Sequence, residues 1–196
     1  MARQRAFDRD AALESALLTF WRHGYEATSV AALTEAMGIR PPSLYAAFGD
    51  KRRLFEEVVR RYQETHGAFT TRALREEPTA HAAIGRMLRE LAVEYTDPAH
   101  PPGCLIISGA VNCGPESAQV QEWLRGFRDA AKAALRAKIE ADVAAGLLPA
   151  GTDSAGLAAF YASVIQGMST QARDGASRED LARIAELAMR VWPRAR

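Results

Sequence analysis

Basic side chains crowd one short stretch of the chain: Arg40, Lys51, Arg52 and Arg53 face a single acid, Asp50. Charges grouped this way can pair with phosphate oxygens. Pro41, Pro42, Ser43 and Tyr45 stand between them. A second basic group, Arg3, Arg5 and Arg9 against Asp8, lies at the amino terminus. The other reactive groups are thiols and imidazoles. Cys104 and Cys113, with His100 nearby, could form a redox- or metal-responsive switch. Their spacing fits no structural zinc pattern, and packed apolar cysteines are the plainer reading. The four histidines, His23, His66, His81 and His100, are scattered along the sequence. No Gly-rich phosphate loop or Gly-x-Ser-x-Gly elbow is present, and Ser108 has no base near it in sequence. We therefore expect no enzyme, no catalytic residue, no cofactor and no metal site.

The elements that must position these residues are helices. The chain has 196 residues, 48% of them hydrophobic and 25% charged, which suits a packed globular protein and not a disordered one. The net charge is +1, so no global field draws it to nucleic acid or membrane; any such site must be local. Two cysteines make no disulfide scaffold. No apolar run approaches the ~20 residues that span a bilayer, and the first residues carry no secretory signal pattern. A cytoplasmic protein is expected. Ala and Leu are abundant and no period-2 alternation persists, so the chain reads as all-α, with roughly nine helices. Helices are expected from Asp8 to His23, Val30 to Met37, Pro41 to Phe48, and Lys51 to about Thr71. Others follow from Glu77 to Tyr95, Cys104 to Asn112, Val120 to Ala145, Thr152 to Arg173 and Ser177 to Trp192. This gives an amino-terminal unit, residues 1–50, joined by the helix starting near 51 to a larger unit, 51–196.

Two short helices joined at Met37-Gly38-Ile39-Arg40 describe a helix-turn-helix. In that motif the amino end of the second helix enters the major groove while the first braces across the backbone. Residues 1–66 hold ten basic and nine acidic side chains, yet both basic groups bracket this motif. Helix-turn-helices also occur in proteins that never touch DNA, and most charge runs are simply solvated, so spacing alone leaves both readings open.

Three segments decide the matter by resemblance. Phe20-Trp21-Arg22-His23-Gly24-Tyr25-Glu26-Ala27-Thr28-Ser29-Val30, Ala36-Met37-Gly38-Ile39 and Ser43-Leu44-Tyr45-Ala46-Ala47-Phe48-Gly49-Asp50-Lys51 closely resemble the amino-terminal domain of TetR/AcrR transcriptional regulators. The resemblance implies an all-helical homodimer on a double-stranded DNA operator, with a carboxy-terminal domain that binds a small-molecule effector and dimerises through its last two helices. It further implies that Thr28 caps the second helix beside phosphate and that Tyr45 and Lys51 reach the backbone. Arg40, Pro41, Pro42 and Ser43 would face bases. Arg52 stands where the family often has an acid, and would add a phosphate contact. With two prolines at the reading end, specificity would lean on Arg40, Ser43 and DNA shape.

The carboxy-terminal half offers two further expectations. Met87, Leu91, Tyr95, Ile106, Trp123, Phe127 and Phe160, with polar Asn112 and Gln166, could wall an effector pocket, although each is more often plain core than a ligand contact. Gly156, Ala159, Ser163 and Gly167 recur at helical spacing. Such a stripe permits close helix approach, in a twofold dimer or within one chain. The expected function is a repressor released from a palindromic operator by a small molecule. The alternatives are a Cys104/Cys113 redox or metal sensor and a small-molecule binding module without DNA function.

Overall fold

The computed structural model describes residues 7–193, and every regular element among them is helical. Arg3 and Arg5 lie outside the described residues. Ten α-helices run in chain order. They are α1 Arg9–Ala27, α2 Val30–Ala36, α3 Pro41–Phe48, α4 Lys51–Glu64, α5 Ala68–Glu76, α6 Ala80–Glu94, α7 Leu105–Ser108, α8 Ala118–Ala144, α9 Ser154–Arg173 and α10 Arg178–Met189. A 3-10 turn at Pro115–Ser117 leads into α8.

Local chemistry sets the boundaries of the first four. Asp8 caps α1 by accepting from the Asp10 and Ala11 amides, and Asp50 caps α4 by accepting from Arg53 N. The α1 path breaks at Gly24, whose φ of 77° is open only to a residue without a side chain. Gly38 turns the chain from α2 to α3 at φ 64°. Leu17, Phe20, Leu33, Leu44, Leu54 and Phe55 are wholly buried between these helices. Phe20 meets Phe55 edge-on, with ring centroids 4.9 Å apart.

Two expectations about helix extent are corrected. The helix beginning at Lys51 does not reach Thr71: it ends at Glu64, Thr65 leaves helical geometry (φ −112°, ψ −90°), and α5 restarts at Ala68. Gly67 N donates to Tyr62 O at 2.8 Å and closes the end of α4. The Cys104–Asn112 helix shrinks to the single turn Leu105–Ser108, capped by Gly109, which packs so closely that a Cβ there would collide with the Leu105 carbonyl.

The amino-terminal helices are tied directly to the rest. Tyr25 N donates to Gly109 O at 2.6 Å, and Arg173 at the end of α9 donates to Trp21 O at 3.3 Å. Arg52 on α4 donates to the Gln119 side chain on α8. Across the larger half, the buried Asp142 carboxylate accepts from Ala80 N at 2.7 Å and joins α8 to the start of α6.

Candidate nucleic-acid interface and ligand cavity

The amino end of α3 stands clear of the fold. Arg40 occupies its N-cap position with no side-chain cap, and is exposed without an ion pair or hydrogen bond from its side chain among the described residues. Pro41 and Pro42 fill the first turn, where an absent N–H costs nothing. Both are exposed, Ser43 is half-buried, and Tyr45 is 51% exposed on the same helix. Leu44 and Phe48 hold the opposite face in the core. The residues expected to face bases therefore share one accessible helix end.

Three other expected contacts are differently placed. Thr28 does not cap α2: it is 1% exposed and its hydroxyl donates to Gly24 O at 2.6 Å, steadying the chain reversal after α1. Ser29 is the cap, accepting from Ala32 N at 3.1 Å. Lys51 is half-buried with Nζ 4.3 Å above the Tyr25 ring, and burial lowers its pKa, offset in part by Glu26. Arg52 is held by Glu56 at 3.1 Å and by Gln119, which turns it toward α8 and leaves it less free for phosphate. Arg9 likewise pairs with Glu57 at 2.7 Å and lies over the Phe48 ring, so it braces α1 against α3 and α4.

In the larger half a cavity of about 560 Å³ opens among α4, α5, α6, α7, α8 and α9. Met87, Leu91, Tyr95, Ile106, Phe127 and Gln166 line it as expected. Trp123, Phe160 and Asn112 do not. Trp123 packs on Phe55 and Phe127, Asn112 is exposed, and Phe160 is 39% exposed on the outer face of α9. The wall also includes Tyr62, Cys104 and Arg128, which no sequence pattern joins. Arg128 donates to Ile106 O at 2.8 Å, and burial lowers its pKa. Burial also raises the pKa of the Cys104 thiol, though bonds to Tyr62 and backbone amides act the other way. Cys113 shifts upward as well, by burial and then by Glu26.

Gly156, Ala159, Ser163 and Gly167 are all exposed, and a Cβ built on Gly167 would meet nothing. The small-residue stripe is therefore not a close contact within this chain. Exposed Phe160 on α9 and exposed Leu187 on α10 add apolar surface to these last two helices.

Residues 12–58 match the model described as bacterial regulatory proteins, tetR family, and residues 82–188 match the tetracyclin repressor-like C-terminal domain. The HTH-type transcriptional repressor ComR of Escherichia coli K12 is 38% identical over 97% of this chain and 91% of its own length. The repressor BdcR of the same organism is 30% identical over 95% of this chain and 89% of its own. Among solved structures, a cysteine-substituted form of the regulator CifR complexed with 26-base-pair operator DNA is 44% identical, with a TM-score of 0.92 over 97% of this chain and all of that one. With both halves matched and near-full-length relatives at this identity, the chain belongs to the TetR family of bacterial regulatory proteins, which are transcriptional regulators and not enzymes.

Proposed function

We propose that the protein is a homodimeric transcriptional repressor that leaves a palindromic operator when a small molecule fills its cavity. The observation that carries this reading is the pairing of two sites on one chain: an exposed α3 amino end and an apolar cavity of about 560 Å³. Arg40 and Ser43 would read base edges, Tyr45 and Lys51 would grip phosphates, and the amino-terminal unit, residues 1–50, would act as the reading head. Thr28 would act only by holding the α1–α2 corner. The exposed stripe from Gly156 to Gly167, with α10 beside it, would form a self-complementary four-helix interface. Repression of this kind operates in the cytoplasm, and no helix among the described residues is long and apolar enough to cross a membrane.

The cavity chemistry supports an amphipathic effector. Its walls are mainly Met87, Leu91, Ile106 and Phe127, so the body of the ligand is apolar. Arg128 and Gln166 supply donors for one carbonyl or carboxylate. A thiol switch at Cys104 and Cys113 is the weaker reading, because burial raises both pKa values and keeps the reactive thiolate scarce near neutral pH. The decisive experiment is fluorescence anisotropy on duplexes selected by the protein from a random library. A palindromic consensus bound by a dimer, with affinity falling as amphipathic carboxylates are added, is the expected result. Failure to select any duplex at low salt would reduce the protein to a small-molecule binding module. By linkage, operator DNA must weaken effector binding by the same factor.

A further inference from the structure

The fold gathers two of the histidines that lie far apart in sequence. His66 sits in the turn between α4 and α5, Glu94 ends α6, and His100 lies in the loop that follows. Both rings address one carboxylate oxygen: His66 Nδ1 is 2.9 Å and His100 Nε2 is 3.2 Å from Glu94 Oε1. One donor atom from each of the three residues lies within 4.8 Å of the others. Trp21 of α1 walls the cluster, stacked on His100 at 4.4 Å and edge-on to His66 at 5.0 Å.

The far side of the His100 ring is also engaged. His100 Nδ1 lies 3.0 Å from the Pro101 carbonyl, which fixes the proton there and turns Nε2 toward Glu94. His66 Nε2 faces the Glu14 carboxylate at 4.0 Å. Histidines that bind metals are oriented in this way, by a carbonyl or carboxylate behind the ring. The His100 side chain is only 4% exposed, yet its Nε2 makes no aligned hydrogen bond despite its nearness to Glu94. A proton on that nitrogen points off the axis to the carboxylate, whereas a cation between the three atoms would face all of them. Two imidazoles and a carboxylate form a donor set for zinc-like divalent ions, with bonds of ~2.0–2.2 Å and a fourth position left for water.

We propose that His66, Glu94 and His100 form a binding site for a divalent transition-metal ion of the zinc class. Small side-chain rotations would close the three donors around it. The ion would tie the α4–α5 turn, the end of α6 and the following loop together beneath Trp21. None of the three ligands lines the effector cavity, so the proposal stands apart from the effector reading.

The test uses tag-free full-length protein, stripped with a chelator and titrated with zinc(II) against a chromophoric competitor. One zinc per chain and a raised thermal midpoint are expected. Glu94→Gln, His66→Gln and His100→Gln should each weaken binding by about tenfold or more. Cys104→Ser with Cys113→Ser should bind zinc like the unaltered chain. X-ray absorption of the zinc-loaded protein, which needs no variant to fold, should show nitrogen and oxygen neighbours without sulfur. Absence of zinc uptake, a sulfur shell, or equal uptake by the His66→Gln/His100→Gln variant would each overturn the assignment.

Discussion

The two halves of the molecule use burial in opposite ways. Around Gly38 the helices are short and the interior is packed with the buried side chains Leu33, Leu44, Phe48 and Phe55, and the distinctive chemistry is turned outward at Arg40 and Tyr45. Around the cavity the helices are longer, the interior stays open, and the distinctive groups, Tyr95, Cys104 and Arg128, are turned inward. A solid head presents a fixed surface to another large molecule, while a hollow body can adjust its walls to a small one. The two are joined by packed contacts and not by one rigid rod. Tyr62 lines the cavity and meets Trp21 of α1 edge-on at 4.9 Å, and Arg173 holds the end of α1 from α9. Filling the cavity can reach the head along that route, provided the two arrangements differ in affinity for the ligand.

The largest effect should come from hollowing the solid half. Leu44→Ala removes a wholly buried side chain between α3 and its neighbours and should cost ~2–5 kcal/mol, measured by urea unfolding. Leu91→Ala, on a wall that already borders open space, should fall at the low end of that range, at ~2 kcal/mol. Equal losses at both sites would erase the contrast between filled head and hollow body.

Next in size are the outward groups. Arg40→Ala should cost ~1–3 kcal/mol on the selected operator and relax preference at one base position. Tyr45→Ala should weaken binding to all duplexes alike. Arg52→Ala should leave operator affinity within about 0.5 kcal/mol, since Glu56 and Gln119 already occupy its guanidinium. A large loss there would mean that DNA draws Arg52 away from α8. Smaller than the loss at Arg40 is that at the cap: Ser29→Ala should destabilise the protein by ~1 kcal/mol in the same unfolding measurement.

How much of this was legible in the sequence follows the range of the determinants. The head was readable because its signals are local: Asp50 three residues before Arg53, Gly24 and Gly38 at chain reversals, and apolar residues at helical spacing. The end of α4 is hidden in the sequence although Gly67 marks it, because Phe69 and Ala73 continue the apolar spacing beyond the break. Cap choice between Thr28 and Ser29 depends on which hydroxyl the fold buries, and only packing decides that. Phe160 and Trp123 have the composition of pocket residues, but the rotation of α8 and α9 turns them elsewhere. Nothing periodic connects His66 with Glu94, 28 residues apart, and only the folding of α5 against α6 brings them within reach.

The smallest expected effect is a test of the joint between the halves, in chelator-treated protein. Burial opposes charge on His100, but Glu94 and the Pro101 carbonyl outweigh it and raise its pKa above the ordinary 6.5. Burial likewise disfavours the Glu94 carboxylate, yet the two imidazoles beside it, His100 at 3.2 Å and His66 at 2.9 Å, outweigh it and lower its pKa below the ordinary 4.5. A raised histidine value means stability fully present below 6.5 and lost as pH climbs through the folded value. A lowered carboxylate value means stability present above 4.5 and lost as pH falls through the folded value. The pair should therefore support the fold most between these limits. Asp97 also faces His100 and raises its pKa, so it widens the window upward and does not invert it, while Glu14 lies 4.0 Å from His66 Nε2. The readout is the stability difference between the unaltered chain and Glu94→Gln at fixed ionic strength. It should be greatest near about pH 5.5 and shrink by about pH 8.5. A difference that stays flat over that range would mean that charge on His100 adds nothing to the joint, which then rests on packing such as Trp21 against Tyr62 and on the hydrogen bonds from Tyr25 and Arg173.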